Sequence, residues 1–206
     1  MVLQRPSGFI NPCQPSKVAR PPSGPLWVHE IKHDGYRLIV RRDGPRVRCF
    51  TCGGHDWASR FPAIVDAALR IKAQSFLIDG EAVIARDDGT PDFHALRNRR
   101  RGREVVLFAF DLIEHDGDDL CDLPLIERKR RLKKLIGRSK QRAIQFNEHP
   151  TGDGPAVFEH VCQMGLEGIV SKRVDARYRS GVSTTWLKAK NPESAAVRRE
   201  REEEWR

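Results

Sequence analysis

Short apolar runs set off by Asp-Gly pairs constrain this chain most. Leu26 to Glu30, Leu38 to Val40, Arg46 to Thr51, Ser75 to Ala85, Val105 to Ile113, Ala143 to Phe146, Glu167 to Lys172 and Thr185 to Lys190 have the length and composition of strands. Asp34-Gly35, Asp43-Gly44 and Asp116-Gly117 lie beside or between such runs. Glycine accepts a positive φ and aspartate tolerates one, so these pairs close tight turns, and tight turns join antiparallel strands. Helical periodicity intervenes at Phe61 to Lys72, with Pro62 in its first turn, and at Val157 to Met164. A third helix follows Leu123-Pro124. Its buried side reads as Ile126, Leu132, Leu135 and Ile136, and its exposed side as Arg128, Lys129, Arg130, Arg131, Lys133 and Lys134. Helices interspersed with hairpins predict an α+β fold of mainly antiparallel sheets. No Gly-x-Gly-x-x-Gly or Gly-x-x-x-x-Gly-Lys loop occurs, which disfavours a Rossmann fold or a P-loop.

Four strand-like segments carry charges where apolar residues are expected: Lys32 to Arg37, Asp79 to Glu81, Glu167 to Lys172 and Lys188 to Lys190. Burying charge singly is costly, so these segments are expected to converge and pair. Several cations with two or more carboxylates suit a nucleoside triphosphate and a divalent metal. The formal charge of +9, from 37 Lys and Arg against 28 Asp and Glu, adds the electrostatic footprint of a nucleic-acid binder. The basic run Arg97, Arg99, Arg100, Arg101 and Arg103 is a candidate for phosphate contact. Of five cysteines, Cys49 and Cys52 have the spacing of half a zinc site, but no second close pair completes it. The carboxylates at Asp116 to Asp119 read as a turn, not a calcium loop. No apolar run reaches bilayer length and the N-terminus lacks an apolar signal core, so a cytoplasmic protein with no membrane partner is expected.

The segment Lys32-His33-Asp34-Gly35-Tyr36-Arg37 resembles the nucleotide-accepting lysine motif of covalent nucleotidyltransferases. Asp79-Gly80-Glu81, Phe108-Ala109-Phe110-Asp111-Leu112, Glu167-Gly168-Ile169-Val170-Ser171-Lys172 and Trp186-Leu187-Lys188-Ala189-Lys190 resemble the later motifs of that superfamily, in its order. Asp56 to Pro62 and Leu125 to Lys129 resemble the ATP-dependent DNA ligases of bacteria, notably the ligase part of end-joining proteins.

The resemblance implies an adenylation domain with ATP in a cleft between sheets. Residues 26–190 would form it, 1–25 an extended Pro-rich arm, and 191–206 a charged, helical tail. Only 16 residues follow Lys190, so no OB-fold domain is expected. Lys32 would take AMP from ATP, for transfer to a DNA 5′-phosphate and strand joining in repair. Glu30 would accept from the adenine amino group, with Ile31 beside the nucleotide and Phe110 stacked on adenine. Arg37 would contact ribose and phosphate. Glu81 would hold ribose or metal, and Glu167 the metal, Mg²⁺ or Mn²⁺. Lys172 and Lys188 would bind the α-phosphate, and Lys190 the leaving phosphates. Trp186 reads as core and Tyr36 as a pocket wall. Cys52 and Val182 stand where the family usually has arginines that contact DNA.

The partners implied are nicked or broken double-stranded DNA, end-joining proteins or a separate OB-fold protein, with association to the nucleoid when on DNA. The alternatives are a weakly active or non-sealing DNA-binding paralogue and an RNA ligase.

Overall fold

The structure, a computed structural model, describes residues 8–86, 89–98, 101–137 and 142–204. The start of the arm, the Asp87-Asp88 turn, Arg99 and Arg100 of the basic run, and the last two residues of the tail lie outside the described residues.

Two sheets face each other. The first has the order β1 (Cys13–Lys17), β11 (Gly181–Lys190), β10 (Gly168–Arg173), β2 (Ser23–Ile31), β9 (Thr151–Asp153). The second has the order β4 (Arg46–Thr51), β3 (Tyr36–Asp43), β5 (Ser75–Val83), β6 (Val106–His115), β7 (Asp118–Asp119), with β8 (Ile144–Phe146) also on β6. All pairs are antiparallel except β1 with β11 and β6 with β8. Two of the Asp-Gly signals are hairpin turns. Gly44 (φ 54°) lies between the paired Asp43 and Arg46. Asp116 (φ 49°) and Gly117 (φ 90°) join the paired His115 and Asp118. Asp34-Gly35 does something else: it carries the chain from β2 in one sheet to β3 in the other. At Gly35 the backbone runs so close to β5 that an added Cβ would collide with the Ala82 carbonyl oxygen.

Period-two alternation divides the core into layers. On β3, Ile39 faces the first sheet and joins Val28, Phe50, Leu77, Phe110, Tyr178 and Trp186 between the sheets. Its neighbours Leu38 and Val40 face the other way, with α1 (Pro62–Arg70) and α3 (Leu125–Gly137), through Ile64, Ala68, Leu132 and Leu135. Behind the first sheet, α4 (Gly154–Gln163) packs Val161 against Ile169 and Ala189. The short α2 (Phe93–Arg97) and the C-terminal α5 (Ala195–Glu204) complete the chain. No helix among the described residues is long and apolar enough to cross a membrane.

Three expectations need correction. The arm expected over residues 1–25 is not separate from the domain expected over 26–190, because Cys13–Lys17 forms the edge strand β1, parallel to β11, and β2 starts at Ser23. An edge position tolerates Pro15, whose missing N–H is not needed there. Second, the buried stripe of α3 is rotated from the expected one. Leu125 is buried while Ile126 is 45% exposed, and Arg128 and Lys129 are 0% and 1% exposed. They lie one turn before Leu132, on the core-facing side, and each meets a buried carboxylate. Third, Tyr36 does not wall the pocket. It packs edge-on to Trp57, ring centroids 5.2 Å apart, with Arg60 over its ring.

Candidate active site

Lys32 directly follows β2, where the chain leaves the first sheet. Its amide donates to the Gly168 carbonyl at 2.9 Å, which ties it to the start of β10. Gly168 (φ 142°) leaves no room for a side chain, since a Cβ would strike the Ala189 carbonyl oxygen. That close packing of β10 on β11 brings Glu167 under the lysine. Lys32 Nζ is 2.5 Å from Glu167 Oε1, and Lys190 Nζ is 3.9 Å from the same oxygen. Burial pushes the Glu167 carboxyl up, and Lys32 opposes that rise.

Between the sheets lies a cavity of about 290 Å³. Glu30, Ile31, Lys32, Arg37, Glu81, Phe110, Lys172 and Lys188 all line it, so eight of the ten residues singled out from the sequence meet in one place. Glu167 and Lys190 lie beside it, reached through Lys32. Trp186 is 1% exposed and edge-on to Phe110, so it is core and cavity wall together.

The far end of the cavity is built around Glu30, 2% exposed. Its Oε1 is 2.7 Å from Lys129 Nζ. Its Oε2 accepts from Lys172 Nζ at 2.8 Å and from Asn147 Nδ2 at 3.2 Å. Burial alone would raise the Glu30 carboxyl, but Lys129 and Lys172 overcome it and hold it at about 2. Burial lowers Lys172 to about 8, against the pull of Glu30. The Lys172 ammonium also sits 4.0 Å from the Phe110 centroid and 3.8 Å from that of Trp186. A carboxylate only accepts, so the Asn147 amide nitrogen faces Glu30 and its oxygen faces His33 Nε2, 3.0 Å away. His33 therefore donates from Nε2, and its ring stacks on Phe108 at 4.0 Å.

The wall contributed by the second sheet carries Arg37 and Glu81, paired across β3 and β5. Arg37 donates twice to Asp79, at 2.8 and 2.6 Å. Tyr178 Oη donates to the same carboxylate at 2.7 Å and accepts from the Cys13 amide at 3.0 Å. This network joins β1, β3, β5 and the loop before β11, and it fixes Arg37 with its guanidinium 4.9 Å from the Phe110 centroid. Glu81 lies nearby, pushed up to about 7 by burial, with Lys32 and Arg37 opposing and Glu167 adding to the rise. Burial lowers Lys188, helped by Lys190 and Lys32.

Glu81, on the cavity wall, and Glu167, beside it, are carboxylates that could hold a divalent metal such as Mg²⁺. That ion takes one or two carboxylates instead of a full protein cage, and no group of three or more metal-binding side chains exists among the described residues. Cys49 and Cys52 hold no such site either, and all five cysteines are free. Cys52 lines the cavity rim, and Val182 is 79% exposed. The arginines of the described basic run are paired: Arg101 with Glu104, Arg97 with Glu203 at 3.9 Å and Arg103 with Asp66 at 3.7 Å.

Sequence reasoning missed Asp79 as the anchor of Arg37, Asn147, Tyr178 and Lys129. Asp79 had a signal, a carboxylate inside an apolar strand beside Glu81. Lys129 had a weaker one, the resemblance of Leu125 to Lys129 to bacterial ligases, and it stands in a run of cations.

The ATP-dependent DNA ligase domain matches residues 13–190. The chain is 38% identical over 185 residues to the Pseudomonas aeruginosa multifunctional non-homologous end joining protein LigD, covering 88% of this chain and 22% of that protein. It is 29% identical over 188 residues to the Bacillus subtilis SPbeta prophage-derived DNA ligase-like protein LigB, covering 89% of this chain and 68% of that one. Among solved structures, a mycobacterial DNA ligase D complexed with ATP and MES superposes with a TM-score of 0.74 at 29% identity, over 87% of this chain and 59% of that one.

Proposed function

The chain belongs to the ATP-dependent DNA ligase family, and from that premise we propose that Lys32 is the residue that accepts AMP. The observation that carries this is its place at the cavity edge, with its Nζ 2.5 Å from a carboxylate and cations on the neighbouring strand. Lys32 Nζ passes its proton by way of Glu167 to solvent, which leaves Glu167 ionised, and the neutral amine attacks the α-phosphorus of ATP. A nitrogen–phosphorus bond forms, the bond to the bridging oxygen breaks, and pyrophosphate leaves. Phe110 offers a ring face for the adenine, and Glu30 keeps acceptor capacity toward its amino group. Arg37, preset by Asp79, faces the sugar. Lys172 and Lys188 take the α-phosphate charge and Lys190 that of the leaving group. Glu81 and Glu167 would hold a divalent cation, which would supply charge neutralisation at the phosphates.

The AMP then passes to a DNA 5′-phosphate for strand joining. The name of the Pseudomonas relative supports DNA end joining as the setting; broken or nicked duplex as substrate, end-joining proteins as partners and the cytoplasm as location belong to the same proposal. Incubation with ATP and Mg²⁺, followed by intact-mass measurement, is expected to show a gain of one AMP. No gain with Mg²⁺ or Mn²⁺ would sink this reading. Offering the adenylated protein nicked DNA and nicked RNA tests the substrate, and preferential sealing of RNA would overturn DNA.

Helix α5 bears on the same step. Glu200 pairs with Lys190, its Oε1 2.6 Å from the ammonium, while Arg199 binds Asp34 at 2.5 Å. The leaving phosphates must displace the Glu200 carboxylate to reach Lys190. Because Glu200 is half exposed, the competition is weak. Glu200→Gln is expected to lower the apparent KM for ATP by roughly two- to fivefold, and to leave the rate at saturating ATP unchanged. A raised KM in a titration of adenylation against ATP would reverse this assignment.

A further inference from the structure

Two buried ammonium groups share the single carboxylate of Glu30, one more cation than pairing requires. Lys129 reaches it from α3 with 1% of its surface exposed, and Lys172 reaches it from β10. They differ in what else they touch. Lys172 lines the cavity and stands over the Phe110 and Trp186 rings. Lys129 comes from outside the cavity wall, its ammonium 5.0 Å from the Phe146 centroid.

We propose that Lys129 is a positioning residue: it is the fixed counterion of Glu30, and it frees Lys172 to leave that carboxylate for the α-phosphate of the bound nucleotide. Both roles assigned to Lys172 cannot be met at once. While it neutralises Glu30 it is directed at a carboxylate, and when it turns to a phosphate it leaves that carboxylate behind. A lone buried carboxylate is strongly unfavourable. With Lys129 in place, Glu30 keeps one full counterion and the Asn147 hydrogen bond throughout. The one excess positive charge beside Glu30 is then available to the phosphate. The demand on Lys172 rises as negative charge builds on the phosphoryl oxygens, so the effect of Lys129 falls on the chemical step more than on ATP binding.

The inference rests on adenylation as the activity, and a wild-type control separates the two: if wild-type protein forms no adduct, that reading fails, not this one. Given a wild-type adduct, single-turnover adenylation by Lys129→Met at saturating ATP is expected to fall roughly 10- to 100-fold, with apparent KM changed less than about threefold. Lys129→Arg, which keeps the charge, should recover most of the rate. In a Glu30→Gln background no carboxylate needs a counterion, so adding Lys129→Met should change the residual rate by less than about twofold. Urea denaturation shows which variants are folded. If Lys129→Met alone does not fold, Glu30→Gln/Lys129→Met still tests the inference, since it removes both charges of that buried pair together: a residual rate within about twofold of Glu30→Gln supports it and a larger loss overturns it. An undiminished rate in Lys129→Met, or an equal loss in the Glu30→Gln background, would overturn the proposal.

Discussion

Lys32→Ala is expected to form no AMP adduct, with the adenylation rate down by about 10⁴-fold or more, because the attacking atom is gone and no covalent route remains. The companion variant Lys32→Arg makes the result specific. A guanidinium stays protonated at any accessible pH and is not a nucleophile, yet it still neutralises Glu167. Loss of the adduct in both variants therefore locates the missing function in the neutral amine and not in the positive charge. The fold should survive either change. Lys32 is 23% exposed, and Lys190, 3.9 Å from the same Glu167 oxygen, stays to pair with it. Intact-mass spectra over time with ATP and Mg²⁺ give the rate, and urea denaturation gives the stability. An adduct on Lys32→Ala, mapped to another lysine by digestion, would move the nucleophile elsewhere.

The parts of this site that could be read from sequence are those where a charge interrupts a strand. Lys32, Glu81, Glu167, Lys172 and Lys188 stand in or directly beside such strands, and strand alternation decides which way Glu81, Lys172 and Lys188 face. On β5, Phe76 and Ile78 face the helices, so Asp79 and Glu81 face the cleft. What was not legible depends on a partner distant in sequence. Arg128 and Lys129 sit among Arg130, Arg131, Lys133 and Lys134, and nothing in the composition or spacing of that run marks two of the six as buried; only the family resemblance over Leu125 to Lys129 sets them apart. The difference comes from the rotation of α3 against β6, which is decided by Leu125, Leu132 and Leu135 and by carboxylates at Glu30 and Asp111. The edge strand β1 was hidden for a related reason. Its prolines argue for an arm, and only the exposed edge of β11 gives Cys13 to Lys17 somewhere to pair. Similarly, Asp34-Gly35 carries a hairpin signal, but β2 and β3 each have better partners in separate sheets.

Arg128→Met is expected to cost about 3–5 kcal/mol of folding stability, a large share of what a domain this size has. The arginine is fully buried. Its Nε and Nη2 donate to the two oxygens of Asp111 at 2.8 and 2.9 Å, and its Nη1 to the carbonyls of Leu123 and Ala176 at 2.5 and 2.9 Å. Methionine fills much of the volume but donates nothing, so among the described residues it leaves the buried carboxylate only the Leu112 amide at 2.9 Å. With a urea m-value of about 2 kcal/mol/M, the midpoint should fall by roughly 1.5–2.5 M. The double variant Arg128→Met/Asp111→Leu separates charge from shape. Replacing both partners removes the stranded carboxylate, so it should recover at least about half of the loss even with two carbonyls unpaired. A single variant within about 1 kcal/mol of wild type would mean that water reaches Asp111. The consequence for the site follows from position. Asp111 is the residue after Phe110, and Arg128 is the residue before Lys129. One buried ion pair therefore locks α3 to β6 and holds the Phe110 ring and the Glu30 counterion in register. A partly relaxed Arg128→Met that remains folded should accordingly lose affinity for ATP as well as stability, measurable as a raised KM in the same adenylation assay.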